Sequence, residues 1–480
     1  MNANATTWEQ VLAALKTYWG YDSFRHPQDQ VVRCLLQQRD ALILLPTGFG
    51  KSICFQIPAL LGSGLTLVIS PLIALMEDQV QDLWKRKLPA ACLHGEVSKT
   101  LRLRIFKALE EERLRLLYLS PETLFSPAVW GRLQGIQING LMIDESHTLV
   151  HWGDSFRPDY RRLGTVRRAL GQHFPIAAFT ATADPYTQSV LQSVLDLRAP
   201  AVIKGDPARL NLHLSIAVAW TPAGRRQQLK RFIQSQQGFS GLVYVRTRSD
   251  GRALSAWLHQ QGLTTEVYHG GLGSQQRRQL EQDWLQGSMP FLVCTNAFGM
   301  GINKPDVRWV AHFQPPPALA DYIQEVGRGG RDGQPATALM LVSEPTGSLD
   351  SGDQDRQAFF DRQRHQIREQ ATQLLHSLPD QGSYQQVGKV EAKVALALLH
   401  QAGCLRWRDP FTFEILHRPA RLPPSGAPEP GLGMAQLIQT RGCRWQVLLE
   451  QFGYPPGDPC GVCDNCRRPA VKGFQLFRSS

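Results

Sequence analysis

Short apolar runs at 41–45, 66–69, 116–119, 141–143 and 177–179 have the length of buried strands rather than of buried helices. The segments between them, such as 72–84 and 101–111, place apolar residues at helical spacing. Strands separated by helices pair through crossovers, and crossover pairing gives a parallel sheet with helices on its faces. The pattern repeats at 242–245, 266–268, 291–294, 307–313 and 338–342, with helix-like stretches such as 251–261 between. Two tandem α/β parallel-sheet domains are therefore expected, over 1–205 and 206–350. Nearly every run ends in a polar or glycine-bearing cluster, and open α/β sheets bind ligands at the carboxyl ends of their strands.

From about Gly347 the alternation stops, and helical patterns at 354–377 and 390–402 mark a third region over 351–432. The amphipathic stretch 390–402 is followed by strand-like residues at 404–408 and 411–417 around an Asp409-Pro410 turn. A helix followed by a hairpin is the ending of a winged helix, a duplex-binding unit; a plain helical connector is the alternative. The Pro- and Gly-rich stretch 418–433 reads as a loop, and a cysteine-bearing module over 433–480 closes the chain.

A chain of 480 residues is too long for one core, and roughly 150 residues per domain suggests about three. Its 42% apolar and 19% charged residues exclude bulk disorder. No apolar run is long enough to span a membrane, and Met1 to Gln10 lacks a secretory pattern, so a soluble cytoplasmic protein is expected. The formal charge of +11 is spread evenly along the chain, which suits a long surface for an anionic partner such as nucleic acid. A modestly basic, merely soluble protein is the plainer alternative.

The run 41–45 leads into Pro46-Thr47-Gly48-Phe49-Gly50-Lys51-Ser52 and then into a helical pattern. Glycines let backbone amides turn onto phosphate oxygens, the amino end of the helix adds its dipole, Lys51 supplies a cation for the β and γ phosphates, and Ser52 can join a Mg²⁺ shell. The general pattern has Gly where Leu45 stands, so only its latter half is met. Asp144-Glu145-Ser146-His147 ends another strand, which is expected to neighbour the first in one nucleotide-binding sheet. Asp144 suits the metal, and Glu145 suits an attacking water; a solvated turn capped by His147 is the bland reading. In the second sheet, Gln324-Glu325-Val326-Gly327-Arg328-Gly329-Gly330-Arg331 carries two arginines three apart on a segment expected to start as a helix. Their fixed positive charge suits a γ-phosphate in its transition state, or else an interdomain ion pair.

The order and content of these motifs resemble the RecQ family of superfamily 2 DNA helicases, over most of the chain. Phe24-Arg25-His26-Pro27-Gln28 is similar to the family's adenine-reading segment. Ser70-Pro71-Leu72-Ile73-Ala74-Leu75-Met76 and Ser120-Pro121-Glu122 resemble its DNA-backbone contacts, and Thr180-Ala181-Thr182 its coupling motif. Asn296 to Pro305 resembles the motif that serves both nucleotide and DNA. Trp152-Gly153-Asp154-Ser155-Phe156-Arg157-Pro158-Asp159-Tyr160 resembles the aromatic-rich loop, in which Trp152, Phe156 and Arg157 can stack on single-stranded bases; an ordinary packed loop is the alternative. The resemblance implies two RecA-like domains, ATP and Mg²⁺ as cofactors, and Gln324, Arg328 and Arg331 among the catalytic residues. Three positions depart from the family's pattern: Phe49 stands for a loop glycine, Ser146 for Ala in the acidic tetrapeptide, and Gly329 for Ala.

Of nine cysteines, five (Cys34, Cys54, Cys92, Cys294 and Cys404) are scattered like reduced, packed thiols. Cys460, Cys463 and Cys466 follow one another at two-residue gaps, and Cys443 can return as a fourth ligand. Four thiolates make a closed tetrahedral site that favours structural Zn²⁺. An iron–sulfur pattern is the alternative, although Ala470 stands where it would place a further cysteine. In the resemblance this is the zinc-binding module. Family members usually carry a winged helix after it and a small accessory domain beyond; few residues follow Cys466, so a short form is expected and any winged helix must lie within the long stretch between Arg331 and Cys443.

The implied activity is ATP-dependent unwinding of DNA, 3′ to 5′ along a single strand, in repair, recombination or replication, on tailed or forked duplexes. A DNA-stimulated ATPase acting as a clamp or annealing switch is the alternative.

Overall fold

The inner strands of the first sheet are buried on both faces, because helices cover both sides of it. The computed structural model describes residues 6–150, 158–298, 304–419 and 430–467. Lobe one contains β1 (Ala41–Leu44), β2 (Leu65–Ile69), β3 (Ala90–Leu93), β4 (Leu116–Leu119), β5 (Ile138–Ile143), β6 (Ile176–Thr180) and β7 (Ala201–Lys204). All pair in parallel, in the order β3-β4-β2-β5-β6-β1-β7. Parallel pairing puts the carboxyl ends of β4, β2, β5, β6 and β1 along one edge. The strands of the phosphate loop and the acidic motif are not neighbours as expected: β6 lies between β5 and β1.

Lobe two is a six-stranded parallel sheet of β8 (Leu212–Ala219), β9 (Ser240–Tyr244), β10 (Glu266–Tyr268), β11 (Phe291–Cys294), β12 (Val307–His312) and β13 (Ala336–Ser343), in the order β10-β11-β9-β12-β13-β8. Here Gly241 has a packing reason. A Cβ at that position would stand 1.9 Å from the buried Trp309 ring, which packs edge-on against Phe232.

The third region contains a helix Gly352–Leu374, β14 (Gln381–Ser383), a helix Val390–Gln401, β15 (Leu405–Trp407) and β16 (Thr412–Ile415). Its strands are antiparallel in the order β14-β16-β15. Residues 355–419 group in space with lobe one, whereas 430–467 group with lobe two. The helix Pro430–Gln439 begins inside the stretch expected to be a loop, with Pro430 at its first position, where a missing N–H costs nothing. Among the described residues, no helix is long and apolar enough to cross a membrane.

Lobe one carries a buried ion pair well away from its ligand edge. Asp40, just before β1, accepts hydrogen bonds from Arg167 Nη1 at 2.8 Å, from the Ile176 amide at 2.8 Å and from the Arg198 amide at 2.6 Å. These partners tie the entry of β1 to the starts of β6 and β7. Removing one member of a buried pair leaves the other uncompensated, at a cost of about 3–5 kcal/mol. Asp40→Ala is therefore expected to lower the unfolding transition of lobe one in urea by that amount, with Asp40→Asn falling between; a change within 0.5 kcal/mol, on the order of an ordinary surface substitution, would show that the pair does not anchor the sheet.

Candidate functional site

The loop between β1 and the helix Lys51–Leu61 reverses direction through two left-handed glycines, Gly48 at φ 79° and Gly50 at φ 83°. Such angles favour glycine. Gln28 locks the loop from the side: its Nε2 donates to the carbonyls of Phe49 at 2.7 Å and Gly50 at 3.3 Å. A Cβ at Gly50 would stand 2.8 Å from that same Nε2. Phe49, unlike the two glycines, does not need positive φ, and its side chain packs on the apolar cluster beneath the loop. The departure at this position therefore adds packing without straining the turn.

Gln28 Oε1 in turn accepts from the Arg25 amide at 2.9 Å. Phe24 is half-buried against Trp8, with ring centroids 5.6 Å apart, and Arg25 is exposed. Phe24, Arg25, Gln28 and the loop from Pro46 to Ser52 thus form one connected surface.

Lys51 Nζ lies 3.4 Å from Glu145 Oε1, and each side chain is only 11% exposed. Asp144 Oδ1 accepts from the Glu145 amide at 3.0 Å. Burial first and the neighbouring Glu145 charge second raise the Asp144 carboxyl to about 6, against the opposing pull of Lys51. A carboxylate so placed gains from a nearby cation, which is the chemistry expected of a metal ligand. Glu145 occupies a left-handed conformation at φ 47°, which is costly for a residue with a Cβ and turns its carboxylate toward Lys51. His147 is more than a cap. Its Nδ1 lies 3.1 Å from Thr180 Oγ1 and 3.4 Å from Glu145 Oε2, and Thr180 Oγ1 accepts from the Thr182 amide at 3.1 Å. The acidic motif and the Thr180-Ala181-Thr182 segment are therefore mechanically joined, which no spacing in the sequence announced.

In lobe two the helix Leu319–Val326 carries Gln324 and Glu325, but it ends before the arginines. Arg328 and Arg331 sit in the following turn, because Gly327, Gly329 and Gly330 do not sustain a helix and Gly330 takes φ 56°. Residues that the sequence did not single out hold this turn. Arg209 Nη2 donates to the Gly329 carbonyl at 2.8 Å, and Asn211 Nδ2 donates to the Gly330 and Gln334 carbonyls at 2.9 Å each. At the helix end, Glu325 accepts from Arg246 Nη2 at 2.8 Å and lies 2.7 Å from His312 Nε2. Although burial works to raise it, Glu325 is lowered to about 2, chiefly by the Arg246 charge with His312 assisting. The arginine turn thus has a rigid, charge-compensated base.

The sulfurs of Cys443, Cys460, Cys463 and Cys466 all lie within 4.8 Å of one another. The Cys460 and Cys466 sulfurs are 3.8 Å apart, close to the edge of a tetrahedron with bonds of about 2.3 Å and far from the roughly 2.05 Å of a disulfide. The Cys463 amide donates to Cys460 Sγ and the Cys460 amide to Cys443 Sγ, each at 3.3 Å, which favours thiolates. Arg444 and Asp464 pair beside them, and Asp464 Oδ2 also accepts from the Ile216 amide of β8 at 3.1 Å. Cys443 and Cys463 share an apolar core with Leu319, Tyr322 and Trp445. These residues fit one tetrahedral thiophilic ion, seated on lobe two.

Trp152, Phe156 and Arg157, together with 299–303 of the Asn296 to Pro305 motif and Ala470, lie outside the described residues.

Residues 25–190 match the DEAD/DEAH box helicase family, and residues 224–333 match the helicase conserved C-terminal domain. The chain is 51% identical to the ATP-dependent DNA helicase RecQ of Synechocystis, over 94% of this chain and 97% of that protein. It is 32% identical to the probable ATP-dependent DNA helicase RecS of Bacillus subtilis, over 96% of this chain and 92% of that one. Among solved structures, S. cerevisiae Dbp5 bound to RNA and ADP BeF3 superposes with a TM-score of 0.58 at 19% identity, covering 72% of this chain and 91% of that chain. At that identity the likeness shows the fold, two RecA-like lobes.

The cysteine geometry gives a direct test. Purified protein is expected to keep one thiophilic ion per chain through dialysis, and Cys463→Ser to lose it, by elemental analysis, with earlier thermal unfolding. Full metal content in the variant would overturn the ligand set.

Proposed function

Because this chain belongs to the RecQ family of ATP-dependent DNA helicases, we propose that it splits ATP in the lobe-one cradle to move 3′ to 5′ along single-stranded DNA and separate the duplex ahead. Repair, recombination or replication is the setting that suits such an activity. The observation that carries the reading is the Lys51–Glu145 pair at the carboxyl edge of a parallel sheet, 3.4 Å apart beneath a glycine turn.

The roles follow from chemistry. Backbone amides from Pro46 to Ser52, with Gly48, Phe49 and Gly50 shaping the turn, receive the phosphates, and Lys51 neutralises the β and γ groups. Thr47, at the tip of the loop, contributes its amide. Ser52 and Asp144 hold Mg²⁺, which when bound offsets charge on the phosphate oxygens. Released from Lys51 by the incoming phosphate, Glu145 orients and polarises the attacking water. Phe24 stacks on the base, Arg25 reads its edge, and Gln28, whose Nε2 stays on the loop carbonyls, offers the base the second lone pair of Oε1. Gln324, Arg328 and Arg331 stabilise the charge that develops on the γ-phosphate.

Trp152, Phe156 and Arg157 contact the single strand by stacking. Cys443, Cys460, Cys463 and Cys466 hold zinc as a structural ion. The substrate is DNA with a single-stranded tail or fork, and the cytoplasm is the compartment that fits reduced thiols.

Lys51→Ala is expected to lower ATP turnover about a hundredfold or more while DNA binding, followed by fluorescence anisotropy, stays within about twofold of wild type. Wild-type protein offered 3′-tailed and 5′-tailed duplexes should separate only the 3′-tailed one. Hydrolysis stimulated by DNA without strand separation would replace the motor with a DNA-gated switch.

A further inference from the structure

Three adjacent strands of lobe one turn polar side chains to one face where they end. Val68 of β2 is the register partner of both Tyr118 of β4 and Met142 of β5, and all three pack in the apolar cluster that also holds Cys54 and Phe55 of the helix Lys51–Leu61. Side chains alternate along a strand, so Ser70, two residues after Val68, and Asp144, two after Met142, turn to that same face. The ladder runs far enough for this to hold: the Ser70 amide donates to the Leu119 carbonyl at 3.1 Å, and the Asp144 amide to the Ile69 carbonyl at 2.8 Å.

Hydroxyl groups collect beside that carboxylate. Ser70 is 1% exposed, and among the described residues its Oγ has no hydrogen-bond partner. Tyr118 is buried too; its Oη accepts from Gln56 Nε2 at 3.0 Å and keeps its own proton to give. Burial raises the Tyr118 hydroxyl well above its ordinary range, with Gln56 opposing and the Asp144 charge adding to the rise. Gln56 stands about one turn after Ser52, on the same side of the helix Lys51–Leu61. Its Nε2 also donates to Gln79 Oε1 of the helix Ile73–Lys85 at 2.9 Å. Both amide hydrogens of Gln56 are thus used, and the Tyr118 hydroxyl is pinned from one side.

An unpartnered buried hydroxyl costs about 1–3 kcal/mol, and here it stands next to the carboxylate read as a metal ligand. Mg²⁺ characteristically keeps several waters and takes few protein ligands, so the waters in its shell need acceptors. A serine hydroxyl can accept from such a water and donate to a carboxylate at the same time. We propose that Ser70 Oγ and Tyr118 Oη are positioning groups for the cation assigned to Ser52 and Asp144, each taking a hydrogen from a water in its shell, while Gln56 holds Tyr118 for that task. Ser70 opens the segment that resembles a DNA-backbone contact; at this burial its hydroxyl serves the interior instead. The proposal rests on the reading of Ser52 and Asp144 as the metal's ligands.

Ser70→Ala and Tyr118→Phe each delete one hydroxyl and little else. Full-length protein is held in excess over a fluorescent, non-hydrolysable ATP analogue, so that the nucleotide stays bound, and Mg²⁺ is titrated in from a Mg²⁺-free start. The Mg²⁺ concentration at half-maximal signal should rise about tenfold in each variant, the loss typical when a group that orients a metal's shell is removed. Affinity for the analogue without Mg²⁺ should stay within about twofold, since neither hydroxyl meets the phosphates. Thermal unfolding of Ser70→Ala without Mg²⁺ or nucleotide should keep the wild-type midpoint, because that hydroxyl holds no protein partner. Should Tyr118→Phe fail to fold, Ser70→Ala decides alone. An unchanged Mg²⁺ midpoint in either folded variant would overturn the assignment, as would an equally large loss of analogue affinity without Mg²⁺. A wild-type signal indifferent to Mg²⁺, or Asp144→Asn with the wild-type midpoint, would instead refute the metal site on which the assignment rests.

Discussion

A lysine and a glutamate, both almost removed from solvent, face each other across the carboxyl edge of lobe one at 3.4 Å. Neither charge would be tolerable there alone, since an uncompensated buried ion costs several kcal/mol. The pair compensates both charges, and in the proposed reading a polyanion competing for Lys51 would free the carboxylate beside it. Much of the surrounding construction serves that contact. Left-handed glycines aim the loop, Gln28 pins its carbonyls, and the strained backbone of Glu145 turns its side chain toward the lysine. Through His147 and Thr180, a change at Glu145 has a direct mechanical route into the next segment of the sheet edge.

Elsewhere the same economy of charge recurs. Glu325 is buried with Arg246 and His312, so the helix that precedes the arginine turn ends on a compensated group. The four cysteines pack with Leu319 and Tyr322 of that helix, so an ion bound there stiffens one flank of lobe two as well as its own module. Metal retention and the integrity of the helix that leads into the arginine turn are therefore physically coupled.

Sequence made the alternating sheets legible because their strands are apolar on both faces, as in 41–45 and 291–294, and the phosphate loop legible because its glycines have no substitute. Weaker strands escaped. Ala90–Leu93 is short and lacks β-branched residues, Ala201–Lys204 is a partly exposed edge, and Leu212–Ala219 interleaves His213 and Ser215 with its apolar residues. Strand order escaped too: the separation of Lys51 from Glu145 along the chain does not reveal that β6 is inserted between β1 and β5. Arg162, Arg209 and Arg246 gave no signal, because a guanidinium that stacks on rings or braces a turn looks in sequence like any solvated arginine. The hairpin around Asp409-Pro410 was readable as a hairpin, but the direction it faces depends on Phe125 and Trp130, far away along the chain.

The claim at the centre is that Glu145 guards Lys51 until nucleotide arrives and then acts on water. Glu145→Gln separates those duties, and the decisive measurement is single-turnover ATP cleavage by rapid quench, with binding of a fluorescent ATP analogue titrated in parallel. Binding should hold or tighten, since the amide no longer competes as a charge, while cleavage on the enzyme slows by about a hundredfold or more. Cleavage within a few-fold of wild type, with nucleotide bound, would contradict the role given to this carboxylate.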